Sequence, residues 1–155
     1  MAYLKELEQM VWQDHLMMDC LFHLRECDLP DSWIGAGFVR NKVWDVLHEK
    51  ETSTPLNDVD VIFFNPTNPT ENREKQIEAR LQKGAPHLLW SAKNQARMHL
   101  KHGHTPYRNC EEAISYWVET ATCVAVRLDE YDQIDIIAPH GLEDLFNGVI
   151  RKNPT

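Results

Sequence analysis

The chain has 155 residues, 43% of them hydrophobic, with 16 basic and 24 acidic side chains and a formal net charge of −8. That length suits one compact domain whose core needs no metal or disulfide staples. The acidic balance excludes non-specific coating of nucleic acid or of an anionic membrane, because both need a cationic surface.

The charge is unevenly spread. Between Glu78 and Glu111 there is no acidic residue, while Arg80, Lys83, Lys93, Arg97, Lys101 and Arg108 all fall there, so this segment carries +6 and the remainder −14. An anion can be met by one part and a cation by the other. Cys20, Cys27, Cys110 and Cys123 show no C-x-x-C pair, and the N-terminus is charged and amphipathic where a signal peptide would be apolar, which predicts reduced thiols and a cytoplasmic location. No apolar run approaches the ~18 residues of a membrane span.

In chain order, Leu4, Leu7, Met10, Val11, Met17, Cys20, Leu21 and Leu24 recur at three- and four-residue steps and predict one amphipathic N-terminal helix within residues 1–27. A single domain is expected over 1–155, with its core over 31–150 after that helix. Asp28 to Asp31, with Pro30, breaks the helix; residues 32–37 read as a short strand entering a glycine turn, and a second helix starts near Phe38. Residues 49–57, polar and containing Pro55, read as a loop. Residues 58–64 predict a strand whose far half is apolar throughout, as in a buried central strand. A helix over 71–83 follows, stopped by Gly84 and Pro86. A strand over 87–92, an N-cap at Asn94 and a short helix over 95–101 come next. A further helix over 111–117 precedes two β-rich runs, 120–128 and 133–137, joined by the acidic turn 129–132. A short helix follows His140 and Gly141. Strands mixed with helices imply an α/β (α+β) fold.

Asp58 and Asp60 are the first candidates for chemistry. Residues two apart on a strand project to one face, so both carboxylates reach one hard cation. The pair equally fits the polar edge of a strand, but Val59, Val61, Ile62, Phe63 and Phe64 make this a core strand, where carboxylates are costly unless paired or metal-bound. Gly35, Ala36 and Gly37 then lead from a strand into a helix carrying Arg40. Such a turn either allows phosphate to approach the helix N-terminus or is purely structural.

Ala36-Gly37-Phe38-Val39-Arg40-Asn41, followed by Asn57-Asp58-Val59-Asp60, resembles the DNA polymerase β-like nucleotidyltransferases, which carry a Gly-Gly or Gly-Ser turn and then Asp-x-Asp or Asp-x-Glu on the next strand. Further segments around Trp33, Val43 to Asp45, Lys93 to His99, Trp117 to Thr122 and Ala138 to Phe146 are similar to an uncharacterised bacterial branch. The spacing of twenty residues between Gly37 and Asp58 exceeds what the superfamily usually allows, but matches that branch.

The resemblance implies a nucleotidyltransferase-like mixed β-sheet packed by helices. It also implies transfer of a nucleoside monophosphate from a nucleoside triphosphate (NTP) to an unknown small-molecule, protein or RNA hydroxyl acceptor, with Mg²⁺ or Mn²⁺ on Asp58, Asp60 and a third carboxylate. Asp135, flanked by apolar residues on a strand, is the candidate for that third position; a solvent-facing strand position is the alternative. The nucleotide-binding set comprises Gly35, Gly37, Arg40, Lys93, Asn94, Arg97 and His99. Arg97 leads it, because guanidinium forks suit phosphate oxygens, and Lys93, Arg97 and Lys101 are expected to form a cationic stripe. Trp33, Trp44, Trp90 and Trp117 read first as core packing, with Trp90, beside that stripe, the one best placed by sequence to stack on a base. His99, His102 and His104 also spell a minor zinc-site reading. The competing functional class is a non-catalytic nucleotide-binding or antitoxin-like regulatory module on the same fold, which the absence of a third carboxylate would favour.

Overall fold

The computed structural model describes residues 1–49 and 58–153. The predicted loop over 49–57 lies, beyond Glu49, outside the described residues.

The amphipathic N-terminal run is two helices rather than one, α1 (Leu4–Trp12) and α2 (His15–Glu26). Asp14 makes the break. Its carboxylate accepts the Met17 N–H at 3.0 Å, capping α2, and lies 3.1 Å from Lys42 Nζ. The apolar stripe continues across the break, with Leu7 and Val11 buried from α1 and Cys20, Leu21 and Leu24 from α2. That continuity hides the junction from a periodicity argument.

After β1 (Trp33–Gly35) come α3 (Gly37–Leu47), β2 (Asp58–Phe63), α4 (Glu71–Gly84) and β3 (Leu89–Asn94). A 3-10 turn (Gln95–Arg97), α5 (His99–His102), α6 (Cys110–Ile114), a second 3-10 turn (Thr120–Thr122), β4 (Ala125–Leu128), β5 (Ile134–Ile137) and α7 (Glu143–Phe146) complete the described chain. The predicted helix over 95–101 is thus divided into a 3-10 turn and α5, that over 111–117 ends at Ile114, and the predicted strand over 120–128 begins only at Ala125. Thr70 caps α4 by accepting the Arg73 N–H at 3.3 Å.

The strands form one mixed sheet in the order β3-β2-β1-β4-β5. β2 and β3 are parallel and joined through α4; the other pairs are antiparallel. Alternation along each strand sends side chains to two different cores. Ile34, Val59, Val61, Phe63, Ala92 and Val126 join the larger core with α1, α2, α3 and α4. Trp33, Ile62 and Ala125 face the other way into a smaller cluster with Cys110 and Ile114 of α6, edged by Phe64, Trp117 and Ile137.

At the outer edge of β3, the Ala92 and Asn94 N–H groups donate to Glu78 and Glu74 of α4 at 3.0 and 2.6 Å. Two carboxylates thus occupy donors that would otherwise offer a template to another strand. All four cysteines are buried free thiols. Burial pushes Cys20 up to about 12 and Cys123 to about 11, so neither ionises readily near neutral pH.

Candidate functional site

Asp58 and Asp60 occupy alternate positions of β2 and open onto the sheet face that carries the smaller cluster. In the parallel register, Asp60 lies opposite Ser91 and Ile62 opposite Lys93, which brings the Lys93 side chain to the same face one residue pair beyond Asp60. Together they line a cleft of about 880 Å³ that also takes in Ala36, Gly37, Arg40 and Asn41 from the start of α3. A third wall comes from Met98, His102, Tyr107, Tyr116, Trp117 and Glu119.

The electrostatics are polarised. Partial burial, and then the neighbouring Asp58 charge, raise the Asp60 carboxyl above its ordinary value, as for any like-charge pair taken partly out of water. Arg40 and Lys93 form no ion pair among the described residues. Arg40 lies 5.4 Å from the Trp44 ring centroid and makes a 3.4 Å contact to Asn41 Oδ1. Asp58 and Asp60 thus share the cleft with Arg40 and Lys93, and with Glu119 on the third wall, and among the described residues no ion pair joins Arg40 or Lys93 to any of these carboxylates.

The turn before α3 is built differently from a glycine cradle. Ala36 takes the glycine-favoured conformation, φ 56°, ψ −128°, whereas neither Gly35 nor Gly37 has a positive φ. Gly35 is required by packing: a Cβ there would sit 3.0 Å from the Val124 carbonyl oxygen and 3.2 Å from Ala125 Cβ. Gly37 is the first residue of α3, and Ala36, at the N-cap position, has no side chain to cap it, so among the flanking residues none closes the helix end that meets the cleft.

Gly37, Arg40, Asp58, Asp60 and Lys93 therefore converge, and five other candidates do not line the cleft. Arg97 is bound to the carboxylate of Glu74 by two hydrogen bonds, Nε at 3.0 Å and Nη2 at 2.6 Å, with Glu71 3.8 Å away. It serves the α4–β3 junction instead of the expected phosphate position. Asn94 is fully buried, accepting from Asn65 and Ala96 N–H groups and donating to the Asn65 and Asn68 carbonyls. His99 sets its ring edge-on to Tyr107 at 6.2 Å, and its Nδ1 is buried without a partner. Gly35 supports the sheet beneath the cleft.

Asp135 lies on β5, three strands from β2, and its carboxylate accepts from Arg127 Nε at 3.0 Å across the hairpin. It does not join Asp58 and Asp60. Among the described residues, no group of three His, Cys, Asp or Glu side chains is placed to hold a metal, and this also separates His99, His102 and His104 as a zinc site. The acidic pair alone still suits a divalent cation of the magnesium type. Such an ion usually takes only one or two protein carboxylates and completes its shell with water and phosphate oxygens, and its charge would relieve the repulsion recorded at Asp60.

Sequence reasoning missed Ser91, Gln95 and the third wall. Ser91 is recoverable from strand alternation with Lys93. Tyr107, Tyr116 and Glu119 carry no local signal, because they reach the cleft through tertiary packing. Trp90 packs in the larger core, the first reading of its sequence position, with its indole N–H on the Ala85 carbonyl at 3.2 Å, and is not placed to stack in the cleft.

Comparison with known proteins places this geometry in context. Residues 23–155 match the Nucleotidyltransferase family. An NMR structure described as revealing a CCA-adding enzyme head domain is 34% identical, with a TM-score of 0.84 over 97% of this chain and 78% of that one. A CCA-adding enzyme in complex with CTP (16% identity, TM-score 0.60, 96% of this chain and 36% of that one) shares the fold. So does the Thermotoga maritima CCA-adding enzyme complexed with tRNA (14% identity, TM-score 0.60, 94% of this chain and 35% of that one). The chain spans about a third of the length of these two enzymes. A search of curated proteins finds no match. No helix among the described residues is long and apolar enough to cross a membrane. With an Asp-x-Asp strand, an α3 N-terminus and a lysine strand around one cleft, and a family match over most of its length, the chain belongs to the nucleotidyltransferase family.

Proposed function

We propose that the cleft binds an NTP with a divalent cation and transfers its nucleoside monophosphate to a hydroxyl acceptor: the acceptor oxygen, losing its proton, bonds the α-phosphorus as the α–β anhydride bond breaks and pyrophosphate leaves. The observation that carries this reading is the convergence of Asp58 and Asp60 with Arg40, Lys93 and the start of α3 on one cleft. Asp58 and Asp60 would hold Mg²⁺ or Mn²⁺. Such an ion, when bound, neutralises phosphate charge and lowers the pKa of an acceptor hydroxyl.

The chain's own residues supply the rest. Lys93 and Arg40 meet phosphate oxygens as charge-assisted donors, and the start of α3, at Gly37 and Phe38, adds backbone N–H groups and the positive end of the helix dipole. Phosphoryl transfer of this type depends on alignment and electrostatics, so the reaction needs no side-chain nucleophile. CTP and tRNA appear with the structurally similar CCA-adding enzymes. A polynucleotide 3′-hydroxyl is accordingly the first acceptor to try, beside small-molecule and protein hydroxyls. The test is calorimetric titration of the chain with each NTP in Mg²⁺, followed by mass spectrometry of candidate acceptors. Metal-dependent binding with a transferred nucleotide supports the reading; no NTP binding by the wild-type chain overturns it.

One observation favours a second reading. Asp135 is committed to Arg127, and among the described residues no third acid, Glu119 of the cleft wall included, joins the pair in a metal-holding group, which suits a nucleotide-binding regulatory module that does not turn over. NTP binding without transfer to any acceptor would select it.

A further inference from the structure

We infer that the wall formed by His102, Tyr107 and Tyr116 is the nucleobase platform of the cleft. This rests on reading the Asp58/Asp60 end as the metal and triphosphate end. At about 880 Å³ the cleft is large for phosphates and an ion alone and falls within the range of whole small-molecule sites. The wall differs chemically from the acidic end: it is aromatic and lies in or just beyond the segment of 79–110 that lacks acidic residues.

Its construction argues for a preset stacking surface. Tyr107 is buried, 6% exposed, and its hydroxyl is 2.6 Å from His104 Nδ1. Tyr116 lies nearly parallel to it, with 21° between the rings and centroids 5.5 Å apart, and touches His104 at 4.6 Å. Tyr116 is thereby fixed from behind while remaining 39% exposed and lining the cleft. An aromatic serving only the core would be covered, as Trp90 is at 7%. A ring already immobilised loses little freedom when a base stacks on it, and every base offers a π-face, so the platform gives affinity with modest base selectivity.

The experiment compares ATP with inorganic tripolyphosphate, each titrated calorimetrically with Mg²⁺ into wild type, Tyr116→Leu, Tyr116→Trp and His102→Ala. Wild type should bind ATP about tenfold or more tightly than tripolyphosphate, matching the usual worth of one base–aromatic stack. Tyr116→Leu should remove most of that advantage and leave tripolyphosphate affinity unchanged, Tyr116→Trp should retain it, and His102→Ala should reduce it several-fold. If Tyr116→Leu and His102→Ala both keep the ATP advantage, or if Tyr116→Leu weakens both ligands equally, the platform is overturned while the triphosphate reading stands. If wild type binds neither ligand, the triphosphate reading fails first and the platform with it.

Discussion

Arg97 and Glu74 are joined side by side, guanidinium to carboxylate, through two hydrogen bonds of 3.0 and 2.6 Å, with the carboxylate only 2% exposed. The same carboxylate receives the Asn94 N–H, so this pair fastens the end of β3 to α4. Hydrogen bonding to Glu74 raises the Arg97 pKa further above its already high ordinary value. Arg97→Met should therefore cost about 3 kcal/mol in chemical denaturation, the range for leaving one member of a buried pair uncompensated. NTP affinity of the folded variant should change less than twofold. Loss of affinity with unchanged stability would return Arg97 to the phosphates.

Lys93 should show the opposite behaviour. It is exposed, unpaired among the described residues and lines the cleft. Lys93→Gln should leave the unfolding midpoint within ~0.5 kcal/mol of wild type, as for surface substitutions generally. It should weaken Mg²⁺-NTP binding about tenfold or more, the worth of one hydrogen bond to a charged group, and flatten its dependence on salt concentration.

Asp60 links pH to stability and to metal. Its carboxyl is raised by burial and by Asp58, so between the ordinary and the raised value the folded chain holds a proton that the unfolded chain has lost. The contribution to stability is present below the ordinary value and disappears as pH rises through the raised one. Asp60→Asn should remove that component from a plot of melting temperature against pH, and should be more stable than wild type near neutrality without metal. Mg²⁺ should raise the melting temperature of wild type near neutrality and less so at acid pH, where the proton competes. Little or no such rise is expected in Asp58→Asn or Asp60→Asn.

Ala36 holds a backbone conformation that glycine tolerates better. Ala36→Gly should stabilise the chain by about 1 kcal/mol in urea denaturation, the lower end of what such strain costs. A destabilised variant would mean that the Ala36 methyl packs in a way that offsets the strain.

Much of the fold is legible in the sequence. β2 and α4 have strong local signals: an apolar run after Asp58 and Asp60, and a helical stretch over 71–83 ahead of the stop at Gly84 and Pro86. Asp58 and Asp60 were legible because strand geometry fixes their shared face. Arg97 and Asp135 were not. Their partners, Glu74 and Arg127, stand 23 and 8 residues away on other elements, and no local pattern shows that a charge is already engaged. The α1–α2 break escaped because the apolar stripe is continuous across it, although Asp14 did carry a cap signal. The aromatic wall escaped because Tyr107 and Tyr116 meet only when the 103–117 stretch folds back on itself.

The alternation of β2 between two cores has a consequence for mutational screens. Val59, Val61 and Phe63 belong to the large core, whereas Asp58 and Asp60 open on the cleft and Ile62 on the small cluster beside it. Sequence parity along six residues then sorts phenotypes. Polar substitutions at odd positions should vanish from soluble expression, while substitutions at Asp58 and Asp60 should yield abundant, well-folded and inactive protein. A saturation library scored for both yield and nucleotide binding would print the pleat of the strand as two interleaved columns.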